Sequence, residues 1–231
     1  MSNLPVVTLN VAMSLDGKTD TFQRKGALIS SDLDIDRVDR LRASNDAIMV
    51  GGRTILGDDP RLTIKTQSFR NERVAKGLAQ NPIKIGIITN ADLDSECRFL
   101  NFGPAQIIIF TTNRTRAEKI RELIKMGVKV YVQNSPRVDL IQAMEEIGYL
   151  GIKSILLEGG GTLNEEMIKS NLVNEIMVYI APIVLGGASA PTFASSVGFV
   201  RDKAQNLKLM SIRQYEDDGL VLDYRIDNKR E

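Results

Sequence analysis

Short runs of apolar, β-branched residues alternate with amphipathic stretches along most of this chain, and no other feature restricts its fold as much. Leu4–Met13, Ala47–Val50, Ile83–Thr89, Gln106–Phe110, Val128–Val132, Ser154–Leu157 and Glu175–Ala181 read as strands. Among them, Ser31-Asp32-Leu33-Asp34, Thr115-Arg116-Ala117-Glu118 and Thr162-Leu163-Asn164-Glu165 each have the form of a capping box opening a helix, and Val138–Ile147 reads as a further helix. Ile35, Val38 and Leu41 are predicted to form the inner face of the first helix, and Ile120, Leu123 and Ile124 that of the second, which ends at Gly127. The runs 83–89 and 106–110 are nearly continuous in isoleucine, which predicts central strands covered on both faces. Strands separated by helices need crossover connections. The expectation is therefore an α/β fold with a mixed, mostly parallel central sheet flanked by helices. Leu207–Gln214 and Leu220–Ile226, joined through Glu216-Asp217-Asp218-Gly219, add a C-terminal antiparallel hairpin. Residues 58–82, with Asp-Asp-Pro, several basic residues and few large apolar ones, are expected to form a long irregular excursion.

At roughly 150 residues per domain, the 231 residues allow one large domain or two small ones. No repeat, low-complexity tract or Pro/Ser linker offers a boundary, so a single domain over 1–231 is expected. The chain carries 30 basic and 29 acidic residues, a formal net charge of +1, which speaks against nucleic acid or a membrane surface as partner. Its start lacks the basic segment of a signal peptide, and no apolar run approaches the roughly 20 residues of a membrane span. The cytoplasm is the expected location.

Histidine is absent and Cys97 is the lone cysteine, which removes whole classes of chemistry. There can be no Ser-His-Asp or Cys-His machinery, no His-ligated metal, and no His/Cys zinc site of the nucleobase-deaminase kind. No metal is expected, and no intrachain disulfide can form. Any acid or base must be Asp, Glu, Lys, Tyr, a substrate group or water.

Two glycine clusters stand where a buried strand passes into a helix: Gly51-Gly52-Arg53-Thr54 and Gly159-Gly160-Gly161-Thr162. Glycines there let an anion approach the backbone, and the following helix offers unpaired N–H groups, although such turns also serve backbone geometry alone. In an open α/β sheet both would lie in the crevice beyond the carboxyl ends of the strands. Thr89-Asn90 and Thr111-Thr112-Asn113-Arg114 end two further strands. There Arg114 could meet a ribose 2′-phosphate, or the threonines could cap the next helix. Asp59, before Pro60, fits turn chemistry, and Asp16-Gly17 fits a tight turn. Glu158 ends a buried strand and needs a partner or a ligand. Arg42 lies on the polar side of its helix, the position of a solvated arginine.

Asn10-Val11-Ala12-Met13-Ser14-Leu15-Asp16-Gly17-Lys18, Leu41-Arg42-Ala43, Val50-Gly51-Gly52-Arg53-Thr54, Asp58-Asp59-Pro60-Arg61-Leu62-Thr63, Glu158-Gly159-Gly160-Gly161 and Ala181-Pro182-Ile183-Val184-Leu185-Gly186-Gly187 together resemble the reductase family of riboflavin biosynthesis. The likeness runs over about residues 4–226, and its SLDGK and DDPxLT segments are specific to that family. Gly52-Arg53-Thr54 is also similar to the Gly-Arg-x-Thr of dihydrofolate reductase, whose fold this family shares, without the spacer residue. The resemblance implies a dihydrofolate-reductase-like domain, usually a homodimer. It would use NADPH, with NADH possible, to reduce a pyrimidine ribosylamine 5′-phosphate to the ribitylamine. Bacterial relatives carry a zinc deaminase ahead of the reductase, which a chain with no histidine and one cysteine cannot contain. The chain therefore resembles the free-standing archaeal and fungal type, which acts on the diamino pyrimidine before deamination. Carried over by motif, Thr54, Asp58, Gly159, Gly160, Gly161 and Thr162 hold the cofactor, with Thr89, Asn90 and Val132 as neighbours. Arg42, Leu62, Lys65 and Glu158 line the substrate site. Lys65 stands where the family often has Arg, so a bidentate phosphate grip is not expected from it. Leu28 is the counterpart of an aromatic residue that stacks on the pyrimidine.

The implied chemistry suits a chain without imidazole. A glycosylamine opens to an imine, hydride from the nicotinamide attacks C1′, and the protein's task is to align donor and acceptor. Asp58 and Glu158 are the expected catalytic residues: Asp58 orients the ribosyl chain and supports positive charge on the imine, and Glu158 hydrogen-bonds the substrate. Two alternatives stand beside this, reduction of the deaminated pyrimidine or of a pterin, and a regulatory module that holds NADP without turnover.

Overall fold

In chain order the elements are β1 (Val6–Ser14), α1 (Asp32–Ser44), β2 (Ala47–Gly51), α2 (Gly52–Asp58), α3 (Gln67–Ala75), β3 (Ile83–Ile87), α4 (Arg98–Asn101) and β4 (Ile107–Thr112). They continue with α5 (Ala117–Lys125), β5 (Lys129–Gln133), α6 (Leu140–Tyr149), β6 (Ser154–Leu157), α7 (Gly161–Lys169), β7 (Glu175–Ala181), a 3-10 turn at Arg201–Lys203, β8 (Leu207–Gln214) and β9 (Leu220–Ile226). This computed structural model describes residues 4–227. The chain forms two compact units, the first built mainly from residues 39–156 and the second from residues 6–38 together with those from 157 onward.

In the first unit the strands run in the order β5-β4-β3-β2-β6. β2 pairs β3, β3 pairs β4 and β4 pairs β5, all parallel. Every residue of β4 is buried, as its isoleucine run predicts for a strand covered on both faces, and so is every residue of β2, whereas β3 is buried at residues 84–86 and half-buried at both ends. Ile48, Val50, Ile55, Leu62, Ile88, Phe99, Ile109 and Leu123 meet in one apolar cluster. Lys84, in the middle of β3, is 0 % exposed. Its Nζ donates to the carbonyls of Phe99 at 3.0 Å and Phe102 at 2.8 Å, closing the end of the short α4.

In the second unit the order is β1-β7-β9-β8. β1 and β7 are parallel, with Asn10 opposite Met177, while β9 is antiparallel to both β7 and β8. Gly219 in the hairpin turn lies against the Tyr179 ring so closely that a Cβ there would overlap it. The mostly parallel pairing, the flanking helices and the C-terminal hairpin match the fold class read from the sequence.

Four local expectations are corrected. Residues 58–82 are not irregular throughout, because α3 lies within them. Its inner face is Phe69 and Arg73, and Arg73 donates to the carbonyls of Ala79, Ala43 and Asn45, so the helix is packed without an apolar period. On α1 the buried side chains are not Ile35, Val38 and Leu41, which are half-buried, but Asp34, Arg37 and Asp39. Arg37 pairs with Asp34 at 2.7 Å and donates to Asn10 Oδ1 at 2.8 Å, and Ser30 Oγ donates to Asp34 Oδ2. Of the capping boxes, Ser31 accepts from Asp34 N at 3.3 Å as expected, but the other two helices are capped by Arg116 and Gly160, with no side-chain cap bond. Thr115 accepts from Ala91 N, and Thr162 Oγ1 donates to Ser195 O, so both hydroxyls serve distant backbone instead.

Burial holds the Lys84 ammonium down to about 8, from an ordinary 10.5. Between those two values the unfolded chain keeps its proton while the folded one has lost it, so this group makes stability rise with pH in that window. Relative to a Lys84→Met variant, the wild-type chain is expected to gain on the order of 3 kcal/mol between pH 8 and 10.5. Urea unfolding of both proteins across that range checks it.

Candidate functional site

The first unit presents part of its candidate residues, Thr54, Thr89 and Asn90, just beyond the carboxyl ends of its strands. Gly51 of β2 is level with Ile87 of β3, Ile87 with Phe110 of β4, and Phe110 with Tyr131 of β5. The segments that follow therefore emerge side by side. α2 begins directly after β2, and a Cβ on Gly52 would come within 3.0 Å of Ile88 Cγ2, so this glycine is explained by close packing on β3. Thr54 sits in the first turn of α2 and is half-buried, like Thr89, while Asn90 and Val132 are exposed. Among the described residues, the side chains of Thr54, Thr89 and Asn90 carry no hydrogen bond. Thr111, Thr112 and Thr115 differ. Thr111 and Thr115 share a hydroxyl pair at 2.6 Å, and Thr112 Oγ1 donates to Thr89 O at 2.8 Å. These hydroxyls clamp the ends of β3 and β4, which leaves Arg114, exposed on the turn, as the remaining donor of that run.

After α2 the chain makes the loop that carries Asp58 to Thr66. Asp58 is exposed, and its carbonyl accepts from Arg98 Nη2 at 2.8 Å. Asp59 turns the chain with a φ of 44° and caps α4, accepting from the N–H groups of Arg98 at 2.8 Å and Phe99 at 2.9 Å. Burial alone would raise its carboxyl, but these bonds and the Arg98 guanidinium outweigh burial and hold it below the ordinary value. Leu62, with a φ of 49°, is 2 % exposed and drives its side chain into the core. Arg42 is half-buried rather than solvated and donates to Thr63 O at 3.1 Å. Lys65 is exposed, and its backbone N–H reaches Asp39 Oδ1 at 2.7 Å. Leu62 and Lys65 thus lie on one loop, to which Arg42 of α1 is tied through Thr63 O.

The second unit holds the other glycine cluster. Glu158 follows β6 and is half-buried, Gly159 is buried with a φ of 98°, and the Gly159–Gly160 peptide is cis. Only glycine adopts that φ without strain. α7 begins at Gly161 and leaves its first N–H groups without intrahelical partners. Gly161 itself is needed for packing, because a Cβ there would fall on the Thr192 carbonyl and the Ser195 side chain. Asn164, 2 % exposed, donates to Phe193 O at 2.9 Å, while its Oδ1 is buried without a partner beside Gly159.

Three carboxylates that sequence reasoning passed over or assigned to local turns or caps organise these loops. Asp16 is held down to about 2, first by the Ser14 hydroxyl and then by the N–H groups of Leu185 and Gly186, so it ties the 14–18 turn to the 185–186 segment. Glu165 accepts from Ser196 N and Gly198 N, each at 2.6 Å, and pairs with Lys169. Asp39 holds Lys65 and Thr66. Each acts on backbone far away in sequence, and no local pattern signals that.

Residues 5–221 match the family model described as the RibD C-terminal domain. The chain is 39 % identical over 197 residues to the 2,5-diamino-6-ribosylamino-4(3H)-pyrimidinone 5′-phosphate reductase of Archaeoglobus fulgidus, covering 85 % of this chain and 89 % of that protein. It is 36 % identical over 223 residues to the protein of the same name from Methanothermobacter thermautotrophicus, covering 96 % and 98 %. Among solved structures, Acinetobacter baumannii RibD superposes with a TM-score of 0.80 at 23 % identity, over 97 % of this chain and 58 % of that longer one. Dihydrofolate reductase from Enterococcus faecalis, solved with NADP(H), superposes with a TM-score of 0.54 at 10 % identity, over 99 % of each chain. The fold is thus the dihydrofolate-reductase-like one expected from the sequence.

A Gly161→Ala variant is expected to lose about 1–3 kcal/mol, because the 192–195 segment must move off α7 to admit the methyl group. Its thermal midpoint, measured against wild type, checks this.

Proposed function

The chain belongs to the RibD C-terminal domain family, and from that premise we propose that it reduces the ribosylamino side chain of 2,5-diamino-6-ribosylamino-4(3H)-pyrimidinone 5′-phosphate to the ribitylamino form in riboflavin biosynthesis. The observation that carries this is the identity of 36–39 % to relatives named for that reaction, over 85 % or more of the chain. The absence of histidine supports it, because it excludes the His/Cys zinc chemistry of deamination from these residues. The family match runs through both units, which supports reading them as one reductase domain.

The reductases it resembles and its fold are consistent with a nicotinamide cofactor. NADPH is the proposed one, supplying the hydride, and the residues present fit it. In the first unit, Thr54, Thr89 and Asn90 have uncommitted polar side chains, with Val132 near the same edge and Asp58 at the end of α2. In the second, Gly159, Gly160, Gly161 and Thr162 lead into the open N–H groups of α7 beside the unpartnered Asn164 Oδ1. Arg114 is the guanidinium proposed for the 2′-phosphate that distinguishes NADPH from NADH.

For the substrate we assign Arg42, Leu62, Lys65 and Glu158. Lys65 offers a compact ammonium to the phosphate, and Arg42 braces the same loop through Thr63 O. Leu62 contributes backbone, since its side chain is buried. Asp58 orients the ribosyl chain and stabilises positive charge on the substrate imine, and Glu158 hydrogen-bonds the pyrimidine. The assembled form is proposed to be a cytoplasmic homodimer. In support, β8 exposes Leu207, Leu209, Met210 and Ile212, apolar side chains that a second copy would cover, and among the described residues no helix is long and apolar enough to cross a membrane.

Purified protein is expected to oxidise NADPH faster with the diamino pyrimidine than with its deaminated form. The reverse order would move the assignment to the deaminated substrate, and binding of NADPH without oxidation on either would leave only a cofactor-binding module. Asp58→Asn is expected to lower kcat at least about tenfold while NADPH still binds. Unchanged turnover would remove Asp58 from the chemistry.

A further inference from the structure

Asp39 is a carboxylate 3 % exposed in the middle of α1, and both of its oxygens are spent on one short segment. Oδ1 accepts from Lys65 N and Oδ2 from Thr66 N, each at 2.7 Å. Among the described residues Asp39 has no cationic partner. A buried charge compensated only by backbone N–H groups is a costly way to close a loop, and capping the start of α3 would need no more than one neutral acceptor. Two oxygens on two consecutive N–H groups do more than cap, because they fix the plane of the backbone at Lys65 and therefore the direction in which its side chain leaves.

The rest of the loop is held residue by residue. Leu62 is anchored in the core, Thr63 O accepts from Arg42, Ile64 N donates to Asn81 Oδ1 at 2.9 Å, and Ile64 O accepts from Arg70 Nη1 at 2.8 Å. Lys65 is the exposed member, and Asp39 is what holds its backbone. Asp39 and Arg42 are three residues apart on α1 and share one face of the helix. One helix face thus sets the separation of two cations, Arg42 directly and Lys65 through Asp39.

We infer that Asp39 is a positioning residue for substrate binding, holding Lys65 at a fixed distance from Arg42 so that the pair meets the anionic end of a phosphorylated substrate. This rests on the assignment of Lys65 to the substrate site. Asp39 touches neither substrate nor cofactor, so its effect is confined to the affinity that Lys65 provides.

The test is a double-mutant cycle of Asp39→Asn and Lys65→Met, reading substrate KM, cofactor KM, kcat and thermal midpoint for each protein. Asn keeps one acceptor and turns its NH2 toward the other N–H, so the segment tilts without losing every bond. Each single variant is expected to raise substrate KM about tenfold, with kcat and cofactor KM within about twofold of wild type, and the double variant to be no worse than Lys65→Met. Asp39→Glu, which retains two acceptor oxygens, is expected to recover part of the loss. If Lys65→Met raises substrate KM and Asp39→Asn does not, the inference fails while the substrate assignment stands. If both raise it and the double variant is additive, or cofactor KM rises in parallel, Asp39 acts on the fold generally and the inference is overturned. If Lys65→Met leaves substrate KM unchanged, the assignment of Lys65 is wrong and the inference falls with it.

Discussion

The register of the parallel ladder is the constraint on which the first unit depends. Gly51 and Ile87 finish level, and Phe110 stands opposite Ile87 two residues before β4 ends, so the connections leaving β2, β3 and β4 start from one edge. A slip of one residue would turn each side chain to the opposite face. For β3 that would carry Lys84 away from the carbonyls of Phe99 and Phe102 and leave its buried amine without those acceptors. The hydrophobic runs alone tolerate such a slip, because they are apolar on both faces. The buried lysine does not.

From those level ends the connections are held by side chains acting on distant backbone. Asp59 grips α4, Asp39 grips the approach to α3, and Thr112 grips the carbonyl of Thr89. In the second unit Asp16 and Glu165 do the same for the segments at 185–186 and 196–198. Charged acceptors make stronger bonds to N–H groups than neutral ones, and here they are directed at the segments with the least regular structure. The outcome is loops with defined geometry built on few local rules.

The same habit explains what could and could not be read from the chain. Strands were legible because Val/Ile runs and the Gly-turn punctuation are local, and so was the hairpin through Asp217-Asp218-Gly219. Helix α3 was not, since its inner face is one phenylalanine and an arginine whose three carbonyl partners come from other segments. Thr115 and Thr162 fit a local capping pattern but are committed elsewhere, and the buried face of α1 is acidic and basic rather than apolar. The proposed site residues rest chiefly on family motifs. Their physical reasons differ: the φ of Gly159 demands glycine, whereas Gly52 and Gly161 are glycines because neighbours press on them.

Lys84 has one more consequence. Its amine is held down to about 8 by burial, and at 0 % exposure no acylating reagent can reach it. It becomes reachable only when β3 and α4 part, so the pace at which it is labelled counts openings of that core. The protein thus contains its own clock for the fluctuation that precedes loss of the first unit, set against the surface lysines that react at once.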